Sequence, residues 1–226
     1  MRRTAASHHL ASSFTDLMTS LMVIFILLFV ANLNNVAGAR KVVQQSLLAE
    51  LRAQLEKKHF TETEIQEDPK DPYAIVLIFP DSLLFDRGSS EVRESGARYL
   101  SELVPILSAV VCNQAQKDKI ESLVVEGHTD STYRAMPASD IGRDYNLRLS
   151  QGRSMEVVRV SLSSLKVKQH RDCIRGMMSA SGRGQEELLP NVAGDSEKQR
   201  RVVFKIRVKG SLAEELTRQR EGAGAG

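Results

Sequence analysis

A carboxylate set into an apolar run is the first place where this sequence could do chemistry. In "SSFTDLMTSLMVIFILLFVANLN" (12–34), Asp16 opens a stretch with no polar side chain from Leu21 to Ala31. An ionised carboxylate in hydrocarbon costs at least about 3 kcal/mol. On a helix, Ser12, Asp16, Thr19 and Ser20 fall at three- and four-residue spacing and share one stripe. Two readings of that stripe stay open on spacing alone. It could face another protein or a wet cleft, with Asp16 paired, solvated or protonated. Alternatively, Asp16 is an interfacial charge that favours the positive end of the helix dipole.

Other reactive residue types are sparser. His128 and Asp130, two positions apart, could begin a metal or acid–base site, but no third ligand stands at a recognisable spacing. Ser150 lacks the context of an activated nucleophile. His8-His9 reads as a tail feature, and no phosphate loop is present. The residues therefore point to no enzyme, no metal and no cofactor.

The elements that must carry these residues follow from length and pattern. The chain has 226 residues, enough for one domain of about 100–150 residues with attachments. The stretch 14–33 is about 20 residues, or about 30 Å of helix, which matches the hydrocarbon of a bilayer. It is apolar all round, and the remaining chain is too small to enclose it. A cleaved signal would explain Arg2, Arg3 and the small residues Ala37-Gly38-Ala39, but the run exceeds the usual h-region and carries an acid. A retained span with a cytoplasmic N-terminus and the remainder outside is the expectation. Acids and bases are interspersed, with a net charge of +3, no Trp and four Tyr. Nucleic acid is therefore not an expected partner.

Val43, Leu47, Leu48, Leu51 and Leu55 recur at helical spacing, and "EDPKDP" breaks the pattern. This predicts a short amphipathic helix, either a plug or a dimer stalk, followed by a linker. "YAIVLIF" reads as a buried strand. "EVRESGARYLSELVPILSAVV" reads as a helix capped by Ser89 or Ser90 and kinked at Pro105. "ESLVVEGH", "GMMSASGRG" and "RRVVFKIRV" read as further strands, with a helix from Tyr145 between the first two of these. Helices on a sheet face are implied. Cys112 and Cys173 could bridge in an oxidising compartment or remain two inert thiols.

The order "LFDRGSSEV", "VVEGHTDS", "NLRLSQGRS", "SGRGQEELLP" and "EKQRRVVFKI" resembles the peptidoglycan-binding domain of OmpA-like proteins, from about Ala74 to Val208. The resemblance implies an α+β fold: a single N-terminal transmembrane helix plus an OmpA-like α/β sandwich, a mixed sheet with helices on one face. It also implies a ligand, the diaminopimelate of the peptidoglycan stem peptide. Asp130 would accept from its ammonium, Arg153 would grip its carboxylate, and Thr129 and Asn146 would shape the loop. Backbone N–H groups at a helix start near Asn146 would favour the same carboxylate. Two departures stand out: the segment 131–145 is longer than the usual loop, and Ser154 replaces a common Ala.

A single span joined to such a domain resembles the B subunit of MotB-like stators, and "FTDLMTSLM" resembles their Asp-containing span start. The resemblance implies that Asp16 carries protons, with Thr19 and Ser20 supporting it. It also implies a homodimer inside a MotA-like or ZorA-like A-subunit ring, about five A subunits to two of this chain. The flagellar version fits less well, because the usual tryptophan near the span is absent. The B subunit of Zorya anti-phage systems is the nearer resemblance. The implied organisation is a cytoplasmic tail (1–12), an inner-membrane span (13–34), a periplasmic linker (35–72), the OmpA-like domain (73–209) and a disordered tail (210–226). A passive cell-wall tether and a secreted domain are the rival readings.

Overall fold

The computed structural model describes residues 3–132 and 140–209, without the side chains of 3–13 and 32–39. Of Ser12 and His8-His9 only the backbone is therefore described, and residues 133–139 of the long segment after Asp130 and the expected tail lie outside the described residues. Two compact units, Met1–Lys41 and Val42–Gly210, are each considered alone.

The first unit is helical, the N-terminal part of α1 (Arg3–Lys57). Its window Phe14–Ala31 has a mean hydropathy of 2.3 over 18 residues, and none of it is buried. A core helix of this composition would be covered; this one is not. Among the described residues it is the one helix long and apolar enough to cross a membrane. Thr19 Oγ1 donates back to Thr15 O at 2.6 Å, so that hydroxyl satisfies itself within the helix.

The second unit is a five-stranded sheet with helices packed on one face. Its elements are β1 (Glu64–Glu67), β2 (Ala74–Pro80), α2 (Glu94–Val111), β3 (Ile120–His128), α3 (Asp140–Ser164), α4 (Lys168–Met177), β4 (Met178–Gly184) and β5 (Arg201–Val208). The strand order is β1-β2-β5-β3-β4, with only β3 and β4 parallel. This is the mixed sheet that the sequence implied. Alternation explains the core: Ile75, Leu77 and Phe79 of β2, Leu123 and Val125 of β3, and Phe204 and Ile206 of β5 are buried in one cluster. Leu100, Leu103, Val104 and Leu107 of α2 meet them at helical spacing. Phe79 and Phe204 stack edge to face at 5.4 Å.

Several expectations change. From Val42 onward the stretch read as a linker belongs to this unit. Leu47, Leu51 and Leu55 are buried in the core, so the stripe read as a plug or dimer stalk packs on the chain's own sheet layer. Gln44 Nε2 donates to Ala74 O at 2.8 Å, tying the end of α1 to β2. Neither Ser89 nor Ser90 caps α2. Its N-cap is Arg93, and Ser89 Oγ instead accepts from Glu91 N at 3.0 Å. α2 continues through Pro105 as one helix. Cys112, at the end of α2, is bonded to Cys173 on α4, with Cα atoms 6.2 Å apart.

Leu51 is 0% exposed. Leu51→Ala is expected to lower unfolding stability by about 2–5 kcal/mol in a denaturant titration. A loss below about 1 kcal/mol would show that the segment 42–57 contributes little to the fold.

Candidate functional site

The candidate site is built where β3, α3 and β5 converge, and two glycines let them approach. A Cβ on Gly127 would lie 2.4 Å from Ser150 O, and one on Gly182 would lie 2.5 Å from Gln151 N. Only glycine allows α3 to sit this deep against β3 and β4. Ser150 is 0% exposed and locks the approach. Its Oγ donates to Leu147 O at 2.8 Å and accepts from Gly184 N at 2.9 Å. Its role is packing, which explains a serine without a nucleophile's surroundings.

α3 begins at Asp140, before Asn146. This corrects the expected helix start at Tyr145: Asp140–Asp144 extend the helix, and the backbone N–H groups near Asn146 belong to its interior. No free helix N-terminus therefore faces the site from that position. Asn146 Nδ2 instead donates to Asp130 O at 3.2 Å, Thr132 O at 3.4 Å and Gln185 Oε1 at 2.8 Å. It ties the turn after β3 to α3 and to the segment following β4.

Thr129, Asp130, Asn146 and Arg153 line one cavity of about 140 Å³, together with Arg87, Thr132 and Arg200. Asp130 Oδ1 accepts from Thr132 N at 3.0 Å and from Thr132 Oγ1 at 2.5 Å. Its Oδ2 meets Arg200 Nη1 at 2.7 Å. Arg153 is 2% exposed. Its Nη1 meets Asp81 Oδ2 at 2.5 Å, Nε donates to Ser89 O at 2.8 Å, and Nη2 makes a 3.5 Å contact with Asp86 O. The guanidinium also sits 5.0 Å from the centre of the Phe85 ring. Burial pulls Arg153 below its ordinary value, and Asp81 opposes that shift. Burial would likewise lower Arg200, but hydrogen bonds to Asp130 and Glu197 raise it on balance. Thr129 Oγ1 is buried and has no hydrogen-bond partner among the described residues. Sequence reasoning singled out neither Asp81 nor Arg200: Asp81 lies just before "LFDRGSSEV", and Arg200, though inside "EKQRRVVFKI", carried no assigned role.

His128 and Asp130 are not brought together. Alternation along β3 turns Glu126 and His128 to the sheet face opposite Leu123 and Val125. There His128 lines a separate cavity with Glu126 and Arg183. Among the described residues no group of three or more His, Cys, Asp or Glu could hold a metal ion. Asp16, Thr19 and Ser20 lie in the other unit, with exposed side chains.

The Glu126 cluster sets an acid limit on the fold. Burial pushes the Glu126 carboxyl up, but hydrogen bonds with His128 and Arg183 outweigh it and hold the group at about 2. Burial lowers His128 despite Glu126, so the folded state favours neutral imidazole. Both groups bind protons more readily in the unfolded chain, so each contributes stability that falls with pH. The His128 part is lost as pH drops below about 6.5, and the Glu126 part between about 4.5 and 2. Stability is expected to fall by on the order of 2–3 kcal/mol across the lower window. Glu126→Gln should flatten that part of a stability–pH curve, and an unchanged slope would contradict this assignment.

No protein-family model matches the chain. The Zorya protein ZorB of Escherichia coli is 26% identical over 204 residues, covering 86% of each chain. The crystal structure of a MotB-like protein from Desulfovibrio vulgaris superposes with a TM-score of 0.50 at 20% identity, covering 78% of this chain and 98% of that one. The periplasmic domain of Helicobacter pylori MotB matches at a TM-score of 0.48 and 15% identity, over 71% of this chain and 98% of the other. The chain is thus a homologue of the Zorya protein ZorB with the fold of the MotB-like protein.

Proposed function

We propose that the chain is the peptidoglycan-anchored B subunit of a proton-driven inner-membrane motor of the Zorya anti-phage type. The observation that carries this reading is that Asp130 and Arg153 line one cavity of about 140 Å³. An acid and a base lining one cavity suit an end group bearing both ammonium and carboxylate, as diaminopimelate does. Thr129 lines the same cavity, and its buried Oγ1 has no hydrogen-bond partner among the described residues. Homology to ZorB over 86% of the chain favours the Zorya type over a flagellar stator.

The span supplies the working half. Asp16 lies in an exposed helix whose window is apolar over 18 residues. Protonated, it can sit in the membrane; deprotonated, it needs a polar path that an A-subunit ring would provide. Moving one charge through 100 mV supplies about 2.3 kcal/mol per step. Two copies of the chain inside the ring, held to the cell wall, would give that step something to push against. The Cys112–Cys173 bond fits a periplasmic domain, since disulfides persist in oxidising compartments. Arg2 and Arg3 fit a cytoplasmic N-terminus.

Two variants of the full chain separate anchoring from ion transport. Asp130→Ala is expected to lose retention on purified sacculi, whereas Asp16→Asn keeps retention and loses phage protection in cells carrying the complete system. Unchanged retention of Asp130→Ala would sink the anchoring claim. Full protection by Asp16→Asn would reduce the chain to a passive tether.

A further inference from the structure

The two residues assigned to the ligand are the ends of a longer chain of charge. Arg153 pairs with Asp81 at 2.5 Å, and Asp130 pairs with Arg200 at 2.7 Å. Arg200 Nε lies 3.6 Å from Asp81 Oδ1 and joins the two pairs. The order is Arg153, Asp81, Arg200, Asp130, with alternating sign and zero net charge. Side-chain exposures are 3% for Arg153, 7% for Asp81, 17% for Arg200 and 8% for Asp130, so water screens these charges poorly. Arg200 also meets Glu197 Oε1 at 2.7 Å, but that carboxylate is 88% exposed and lies at the rim.

Backbone pairing fixes the middle of this chain. Pro80 of β2 pairs with Arg201 of β5, and Asp81 N donates to Arg200 O at 3.2 Å. Leu84 N and Phe85 N both donate to Asp81 O, closing the turn that holds Asp81 in place. Asp81 and Arg200 are thus neighbours by strand register, while Arg153 comes from α3 and Asp130 from the turn after β3.

We propose that Asp81 and Arg200 are positioning residues that make the cell-wall site selective for a zwitterionic end group. The inference rests on the wall-binding reading of the cavity. A ligand that offers an ammonium to Asp130 and a carboxylate to Arg153 closes the open chain into a ring of alternating charge. A ligand with the ammonium alone brings an unmatched charge into a poorly screened site and leaves Arg153 without a new partner. The same holds for a carboxylate alone. Asp81 and Arg200 contribute by holding the two ends in place with their charges already balanced.

The test uses the full chain in detergent and calorimetry with two synthetic tripeptides, L-Ala-γ-D-Glu followed by meso-diaminopimelate or by L-lysine. Lysine keeps the ammonium at the end of the side chain and lacks the carboxylate on the same carbon, while both peptides share the free main-chain carboxylate. The unaltered protein is expected to bind the diaminopimelate form at least tenfold more tightly. Asp81→Asn should weaken that form at least tenfold and shrink the preference over lysine, and Asp81→Glu should restore part of it. Arg200→Lys keeps the charge but not the two-sided bridge, and covers the case in which Asp81→Asn does not fold. It should also lose preference. If the folded variants keep the full preference, or lose affinity for both peptides by the same factor, the two residues are merely structural and the proposal is overturned. If the unaltered protein binds neither peptide, the wall-binding reading itself fails.

Discussion

A guanidinium removed from water needs a counter-charge, and Arg153 is 2% exposed. Deleting one partner of such a buried pair costs about 3–5 kcal/mol, because the other charge is left stranded. Asp81 must therefore stay where the end of β2 puts it, and α3 must stay deep enough for Arg153 to reach it. That depth depends on Gly127 and Gly182, where a Cβ would strike the backbone of Ser150 and Gln151. The same approach places Asn146 against the turn that carries Asp130. One pairing requirement thus couples β2, β3, α3 and β5 around a single cavity.

The fold around that pairing is braced from sides that a coarse domain division would miss. Leu47, Leu51 and Leu55 at the end of α1 complete the core, and the Cys112–Cys173 bond holds α4 to the end of α2. On the opposite sheet face, Glu126 is shared by Arg183 at 2.6 Å and His128 at 3.8 Å. Separate faces let the domain keep a titrating cluster away from the cavity proposed for the ligand.

Much of this was legible in the residue order. Thr129, Asp130, Asn146 and Arg153 could be read together because each sits inside a short motif. The strands β2, β3 and β5 showed their alternation or apolar runs plainly. What could not be read depends on partners distant in sequence. Asp81 and Arg200 gain their meaning only from the register of β2 and β5. The leucines of 47–55 have a spacing that serves a coiled coil and a core helix equally well. β1 has four residues, Glu-Ile-Gln-Glu, too short and charged to show a pattern. α4 is short and polar, with Ile174 its one buried residue, so its helical period was hidden. The start of α3 was misplaced because the motif draws attention to Tyr145 and Asn146, whereas Asp140–Asp144 already belong to the helix.

Cell-wall anchoring through this cavity is tested most directly by adding the diaminopimelate tripeptide to the isotope-labelled full chain in detergent and following its amide resonances. Anchoring predicts that the largest shifts fall on Thr129, Asp130, Asn146 and Arg153, the residues lining the cavity. Shifts confined to the opposite sheet face around His128 and Arg183, or none at all, would contradict it.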